Sequence, residues 1–349
     1  MSELAQNLTL PGALLAGLSP GVAAMLVMFA SCAAVLGVVA LNGMFLVWWE
    51  RKISAHIQSR VGPMTTGYWH GWLQSIADGV KLLLKENIIP LMADRWLFML
   101  APLVVFMSAF MAFVPIPWGE KLIVADLNVG VLYIAAITSL SAIGVIMAGW
   151  ASNNKWSLYG GMRAAAQIVS YEIPVGLALV PALLASSTLS MQGIVEVQAG
   201  GIWNWNIFAG GPFTIVAFGA LFLASLAEVN RAPFDLPEAE SELVCGFHTE
   251  YSGMCFAFFF LAEYSEMFVV AVVASVLYLG GWHDPLGLGI LPGPVVLMAK
   301  VLLLVFVQMW FRWTFPRLRV DQLMYLAWKV LTPLGFINVF GAAFWLILV

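Results

Sequence analysis

The run GVAAMLVMFASCAAVLGVVALNGMFLVWW, Gly21 to Trp49, holds 29 consecutive residues without one Asp, Glu, Lys, Arg or His. Wound as a helix rising ~1.5 Å per residue, it reaches past the ~30 Å of hydrocarbon in a bilayer, so it is expected to cross a membrane. The first basic residue is Arg51, so the run lacks the basic segment that opens a secretory signal, and the helix is expected to stay in the chain.

Outward from this run the pattern repeats. The 349 residues are 62% hydrophobic and 10% charged, more apolar surface than a soluble core could bury. Apolar runs of crossing length recur at 97–117, 129–150, 165–187, 207–228, 251–280, 293–312 and 323–348, which makes eight with the first. The expected fold is an all-α polytopic membrane protein, an eight-transmembrane-helix bundle that forms one integral membrane domain over residues 1–349. Twelve of the 15 Lys and Arg fall in the connections 50–96, 151–164, 228–250 and 312–322. Cytoplasmic loops hold the basic excess, so these four connections are expected in the cytoplasm and both termini outside.

The net charge of −4 is too small, and the basic residues too scattered, for a nucleic-acid partner. Cys32, Cys245 and Cys255 stand far apart without a C-x-x-C, so no disulfide framework, zinc site or iron–sulfur site is expected. In HGWLQSIADGVKLLLKE, His70 to Glu86, the residues Trp72, Leu73, Ile76, Val80, Leu83 and Leu84 recur at helical spacing, with Gln74, Asp78, Lys81 and Lys85 opposite. This segment is expected to lie as an amphipathic helix in the membrane interface. It serves either as an anchor for the bundle or as the doorway for a lipid-like substrate.

Carboxylates stand inside the apolar runs. Glu172 lies about 10–15 Å in from the end of its span at ~1.5 Å per residue, and Pro174 nearby offers irregular, hydratable backbone. Glu263 and Glu266, three apart, share a helix face, and Glu228 closes the preceding span. Each ionised acid at a helix centre costs roughly 2.5–3.5 kcal/mol to insert. Two readings account for them: ion pairs with Arg163, Arg231, Lys300 or Lys329, or a hydrated proton path. The stretch EVNRAPFDLPEAESELVCGFHTEY, Glu228 to Tyr251, carries six carboxylates, Glu228 among them, against one arginine. Pro237 suits the first residue of a helix whose early turns hold Glu238, Glu240 and Glu242, where acids favour the dipole. That covers two or three acids; the full set reads as an acidic mouth leading toward Glu228, Glu172 and Glu263.

These residues also carry a resemblance. WERKISAHIQSRVGP, LQSIADGVKLLLKE, SNNKWSLYGGMRAAAQIVSYE, EVNRAPFDLPEAESELVCGFHTEYSGM and FPRLRVDQLMYLAWK follow one another in order between about residues 48 and 333. They resemble the successive cytoplasmic motifs of the H-subunit family of bacterial NADH:quinone oxidoreductase, respiratory complex I, whose mitochondrial counterpart is NADH dehydrogenase subunit 1. The resemblance implies a non-redox membrane subunit of a proton-translocating enzyme in the bacterial inner membrane, with no catalytic redox centre and no metal of its own. It implies a substrate, ubiquinone or menaquinone, and partners: peripheral-arm iron–sulfur and quinone-site subunits that hold the clusters and FMN, antiporter-like and small membrane subunits, and lipids.

Residue by residue, the resemblance carries a proton-coupling chain onto Glu172, Glu228, Glu240, Glu242 and Glu263. Quinone-tunnel and docking roles fall on Glu50, Arg51, Arg60, Asp78, Lys81, Arg231, Asp235, Arg312, Arg317 and Arg319. For Arg231 and Asp235 a loop-fixing ion pair is the alternative. His248 matches a family position and is a candidate titrating group beside the acidic mouth. GPMTTGYWHGWLQS departs from the family's usual G-P-N and L-Q-P, so Met64, His70 and Ser75 alter the expected shape of the tunnel mouth. Two rivals remain at this point: the homologous subunit of a membrane-bound hydrogenase or ferredoxin-linked complex, and an autonomous proton transporter. A pure scaffold is a third.

Overall fold

The computed structural model describes residues 20–68, 70–237, 240–287, 289 and 291–348. Residues 1–19 and Glu238, on which the N-terminal topology and part of the acidic mouth were expected, lie outside them. Among the described residues the chain is helical, without a strand beyond the isolated bridge Gly119 to Leu122.

The opening apolar run forms α1, Pro20–Ile57, and α2 follows at Gln74–Leu84. Next come α3, Arg95–Met111, and the pair α4, Gly130–Thr138, and α5, Leu140–Ala151, interrupted at Ser139. The long α6, Lys155–Ser186, precedes the short α7, Met191–Val197, and α8, Asn206–Ala209. Then follow α9, Pro212–Glu228, the single turn α10, Glu240–Leu243, α11, Gly253–Tyr278, and α12, Gly293–Thr314. The last span begins as α13, Val320–Tyr325, passes through a π-helical turn at Leu326–Leu331 and ends as α14, Thr332–Leu348.

Local chemistry sets these bounds. Asn154 caps α6 by accepting the Trp156 N–H at 2.9 Å, and Asp94 caps α3 through the Leu97 N–H. Pro212 opens α9, where its missing N–H costs nothing. A β-carbon on Gly149 would stand 2.8 Å from the Ser157 oxygen and 3.1 Å from the Gly161 α-carbon, so only glycine lets α5 and α6 close into their tight hairpin.

Among the described residues six segments are long and apolar enough to cross a membrane: α1, α4 with α5, α6, α11, α12, and α13 through α14. The other two of the eight expected crossings, at 97–117 and 207–228, appear as 17-residue helices, α3 and α9. At ~1.5 Å per residue each rises about 25 Å, short of the hydrocarbon layer. Pro115 and Pro117 follow the end of α3, and Gly211, at φ +62°, turns the chain just before α9. Pro174 likewise departs from expectation, because α6 runs unbroken through both Pro174 and Pro181. Two bonds tie this stretch of α6 to its neighbours: the Tyr171 hydroxyl donates to the Leu323 carbonyl at 3.0 Å, and the Tyr278 hydroxyl to the Ala178 carbonyl.

The spine of the bundle is α11. From Met267 to Tyr278 almost every side chain is buried, against α6, α9 and α12. A smaller core joins its first turns to α3 and α5, where Phe98 and Tyr251 stack at 4.0 Å.

Candidate functional site

The charged connections meet the inner half of α11. Arg231, in the turn after α9, is 2% exposed and reaches two carboxylates: Glu50 Oε2 at 3.0 Å and Glu263 Oε1 at 2.6 Å. Glu50, near the end of α1 and 4% exposed, also accepts from Arg312 Nη1 at 2.7 Å and from the Tyr264 hydroxyl at 2.6 Å. The Arg231 guanidinium lies 4.2 Å from the centroid of the Tyr264 ring. Burial works against the Arg231 charge, but Glu263 and Glu50 outweigh it and hold its pKa well above the usual value. Two acids and two arginines thus make a neutral cluster at the meeting of α1, α9, α11 and α12. The pairs with Arg231 match the ion-pair reading of Glu263.

The turn that carries Arg231 is fastened from α6. Gln167 Nε2 donates to the Ala227 carbonyl at 2.8 Å and the Phe234 carbonyl at 2.7 Å, tying the end of α9 to the loop beyond it. Asp235 binds Arg317 at 3.1 Å, and the Leu318 N–H donates to the Pro233 carbonyl. Sequence reasoning passed over Gln167; its signal was an uncharged amide in an apolar helix, five residues before Glu172.

One cavity adjoins the cluster and another lies further along α11. The first, about 540 Å³, lies between α1, α2 and the start of α11. Its wall is mostly apolar, with Met44, Val47, Phe256 and Phe260, and its polar end holds Arg51, Asp78 and Lys81. Arg51 and Asp78 pair at 2.6 Å. Tyr264 lines this cavity and also donates to Glu50, so cavity and cluster share a side chain. Of the three departures from the family motif only Ser75 lines this cavity; Met64 and His70 contact the end of α1. Lys52 Nζ lies 2.6 Å from the Pro63 carbonyl and 3.1 Å from Met64 Sδ, the His70 carbonyl accepts from Trp48 Nε1, and buried Ser75 lines the wall.

The other cavity, about 210 Å³, holds Glu172 and Glu228 with Thr138 and Ser225, and extends along α11 to Val273. Glu266 lies between the cluster and this cavity, close enough that the charges of Glu263 and Glu228 both act on it. One Glu266 oxygen is buried without a hydrogen-bond partner. The order from the cluster is therefore Glu263, Glu266, Glu228, Glu172. The set carried over from the family motif omits Glu266, although its spacing from Glu263 had put the two on one face. Among the described residues no cation stands within ion-pair distance of Glu172, Glu228 or Glu266.

Other expected residues lie elsewhere. Of the helix expected after Pro237, the described residues show the single turn α10, Glu240–Leu243. Glu240 begins this turn, and its side chain lies outside the described residues. Glu242 is at the surface, its side chain 54% exposed, and pairs with Arg163 at 2.5 Å. Arg60 is exposed and donates to Gln58; Arg319 is exposed and 3.9 Å from Asp321. Among the described residues Lys300 and Lys329 form no ion pair: Lys300 binds backbone carbonyls, and Lys329 lies over the Tyr325 ring.

His248 packs edge-on between Phe247 and Phe256 and lines a pocket with Asn230, Glu263 and Glu266. Burial pushes its pKa down to about 4, so the ring is neutral at physiological pH. A histidine depressed in the folded state contributes stability that is full above the unfolded pKa of ~6.5 and is lost as pH falls toward 4. We expect His248→Phe to flatten the fall in thermal denaturation temperature between pH 6.5 and 4; a fall as steep as in the unaltered protein would show that the ring titrates normally.

A family model described as NADH dehydrogenase matches residues 30–343. The H subunit of NADH-quinone oxidoreductase from Chlorobaculum tepidum is 52% identical over 314 residues, covering 86% of this chain and 87% of that protein. The corresponding protein of Anaeromyxobacter dehalogenans, of the same name, is 49% identical over 323 residues, 87% of this chain and 78% of that one. That of Geobacillus kaustophilus is 46% identical over 321 residues, 92% and 94% of the two chains.

Proposed function

Because the chain belongs to the NADH dehydrogenase family of complex I membrane subunits, we propose that it forms the heel of the membrane arm, where quinone is received and its reduction is coupled to proton movement. The observation that carries this reading is the shared side chain, Tyr264. The apolar wall of the 540 Å³ cavity suits an isoprenoid quinone, and its volume falls in the usual range for ligand pockets. Its polar end, Arg51, Asp78 and Lys81, suits the quinone carbonyls. One residue further in, Tyr264 hands any change of charge to Glu50, and through Arg231 to Glu263.

In the low dielectric of the bundle, charge appearing on reduced quinone shifts the protonation of this cluster by Coulomb coupling, and the shift passes along Glu266, Glu228 and Glu172. Glu172 is exposed on the flank of α6, so the chain of acids ends toward a neighbouring membrane subunit. The outward apolar side chains of α2, Ile76, Val80, Leu83 and Leu84, suit a helix seated in the membrane interface beside the cavity mouth. The eight crossings are retained in this reading, with α3 and α9 as short spans; Arg60, Arg317 and Arg319 face the cytoplasm, where the iron–sulfur subunits bring the electrons.

Ala257→Phe projects an aromatic ring into the cavity from α11. In the assembled complex we expect it to raise the KM for a long-chain quinone by about tenfold, with electron transfer from NADH to a soluble acceptor unchanged. An unaltered quinone KM in that variant overturns the assignment of the cavity. Recovery of iron–sulfur and antiporter-like subunits with the chain from native membranes tests the placement in the assembly, and recovery of the chain alone refutes it.

A further inference from the structure

Lys300 stands at the end of the bundle remote from the charged loops, beyond the acid chain. Its three ammonium protons have three carbonyl acceptors: Leu279 at 2.6 Å, Gly281 at 2.8 Å and His283 at 2.7 Å. Nζ also lies 4.2 Å from the centroid of the Trp205 ring. The cation is thus held by backbone and covered by an aromatic face. Gly280, at φ +72°, admits that ring, since a β-carbon there would collide with Trp205 Nε1.

The carbonyls Lys300 binds follow the C-terminus of α11, where helical acceptors run out and the dipole favours a positive charge. The neighbouring acceptors are also met by side chains. Gln198 donates to Val276 and Asn206 to Leu277, while the Gln198 amide oxygen accepts from the Gly280 N–H. The side chains that face Lys300 electrostatically are Asp284, directly, and His283, which Asp284 and Glu120 also influence.

The opposite half of α11 is built differently. Glu263 and Glu266 adjoin a cavity, and the cavity of Glu228 and Glu172 runs outward to Val273 on α11, Leu179 on α6 and Val131 in the first turn of α4. Beyond it the Tyr278 hydroxyl is bound to Ala178, and then comes the Lys300 knot. Apart from Tyr278, the only polar side chain that α11 offers between Glu266 and that knot is Ser275, whose hydroxyl is bonded back to Ala271. Along α11, a proton on the acid chain therefore meets a stretch without a titratable side chain before Tyr278, followed by the Lys300 ammonium.

We propose that Lys300 is the electrostatic stopper of this subunit: a fixed cation that bars protons on the Glu263 to Glu172 chain from crossing to the outer face, so that they leave sideways past Glu172. The proposal rests on reading those acids as a proton path. A fixed charge in a narrow passage is an established way to exclude protons.

The test uses the whole complex carrying Lys300→Met, reconstituted in liposomes with a pH dye inside and a potassium diffusion potential, without electron donor. Passive proton entry is expected to rise about tenfold, the factor a unit charge ~10 Å away imposes at an effective dielectric of ~20. Lys300→Arg keeps charge and donors, and its vesicles are expected to stay tight. If Lys300→Met does not assemble, Lys300→Gln, which donates to two carbonyls without the charge, is expected to leak in its place. Tight vesicles with an assembled neutral variant overturn the proposal, as does an equal leak with Lys300→Arg, which would mark a packing defect. Because the leak is read with redox chemistry off, the outcome is independent of whether the 540 Å³ cavity takes quinone, which the quinone KM reports separately.

Discussion

Replacing Arg231 by methionine is expected to abolish quinone reduction and to lower the yield of assembled complex more than any other single change in this chain. The side chain is 2% exposed and bound to two carboxylates, so the substitution leaves Glu50 and Glu263 facing each other across a cavity. The cluster changes from two cations and two anions to one against two. Removing one partner of a buried ion pair costs roughly 3–5 kcal/mol, because the stranded charge is neither hydrated nor matched. Here two anions are affected, though Glu50 keeps Arg312 and Tyr264. The greater loss therefore falls on Glu263, and the double variant Arg231→Met, Glu263→Gln is expected to recover much of the assembly that the single variant loses. Arg231→Lys should fall between, since one ammonium cannot span the two carboxylates as the guanidinium fork does. The measurements are complex yield in mild detergent, thermal denaturation and NADH:quinone rate. Normal assembly and rate in Arg231→Met would show that the cluster neither holds the site together nor serves it.

The membrane class of this fold was legible from runs such as Gly21 to Trp49, because a bilayer demands length and apolarity in one continuous segment and both can be read directly. Helix ends were not. The run 97–117 is apolar to its end, yet α3 stops at Met111, since hydropathy does not register the turn ahead of Pro115 and Pro117. The opposite error occurred at Pro174, where a local rule predicts disruption and the helix continues through the proline, packed against its neighbours. The candidate site was legible as a set of residues and illegible as a graph. Glu50, Arg231, Glu263 and Arg312 were all singled out, but nothing in a linear sequence pairs residue 50 with 231 and 312. Those contacts exist because α1, α9, α11 and α12 converge. Gln167 and Lys300 show the limit more sharply: both act on backbone carbonyls, and a carbonyl leaves no mark in the sequence.

Glu228→Gln separates a proton path from a scaffold. Glu228 is the last residue of α9, with its carboxyl in the cavity of Glu172 and the Thr138 hydroxyl within bonding reach. The amide has nearly the same volume and can still bond Thr138, so packing is retained. An acid at a helix C-terminus opposes the dipole by about 0.3–1 kcal/mol, and Glu172 and Glu266 add like charges, so the neutral amide should assemble at least as well. What it loses is the capacity to take up and release a proton between Glu266 and Glu172. Proton-coupled quinone reduction in vesicles is accordingly expected to fall by about tenfold or more, the least that loss of a positioned proton-transfer group entails. A scaffold role predicts the reverse, reduced assembly with normal turnover in whatever complex forms. Correctly assembled Glu228→Gln complex that reduces quinone and acidifies vesicles at the unaltered rate would remove Glu228 from the path. The relay would then have to run from Glu266 to Glu172 through water alone, a route that Glu172→Gln in the same background would block.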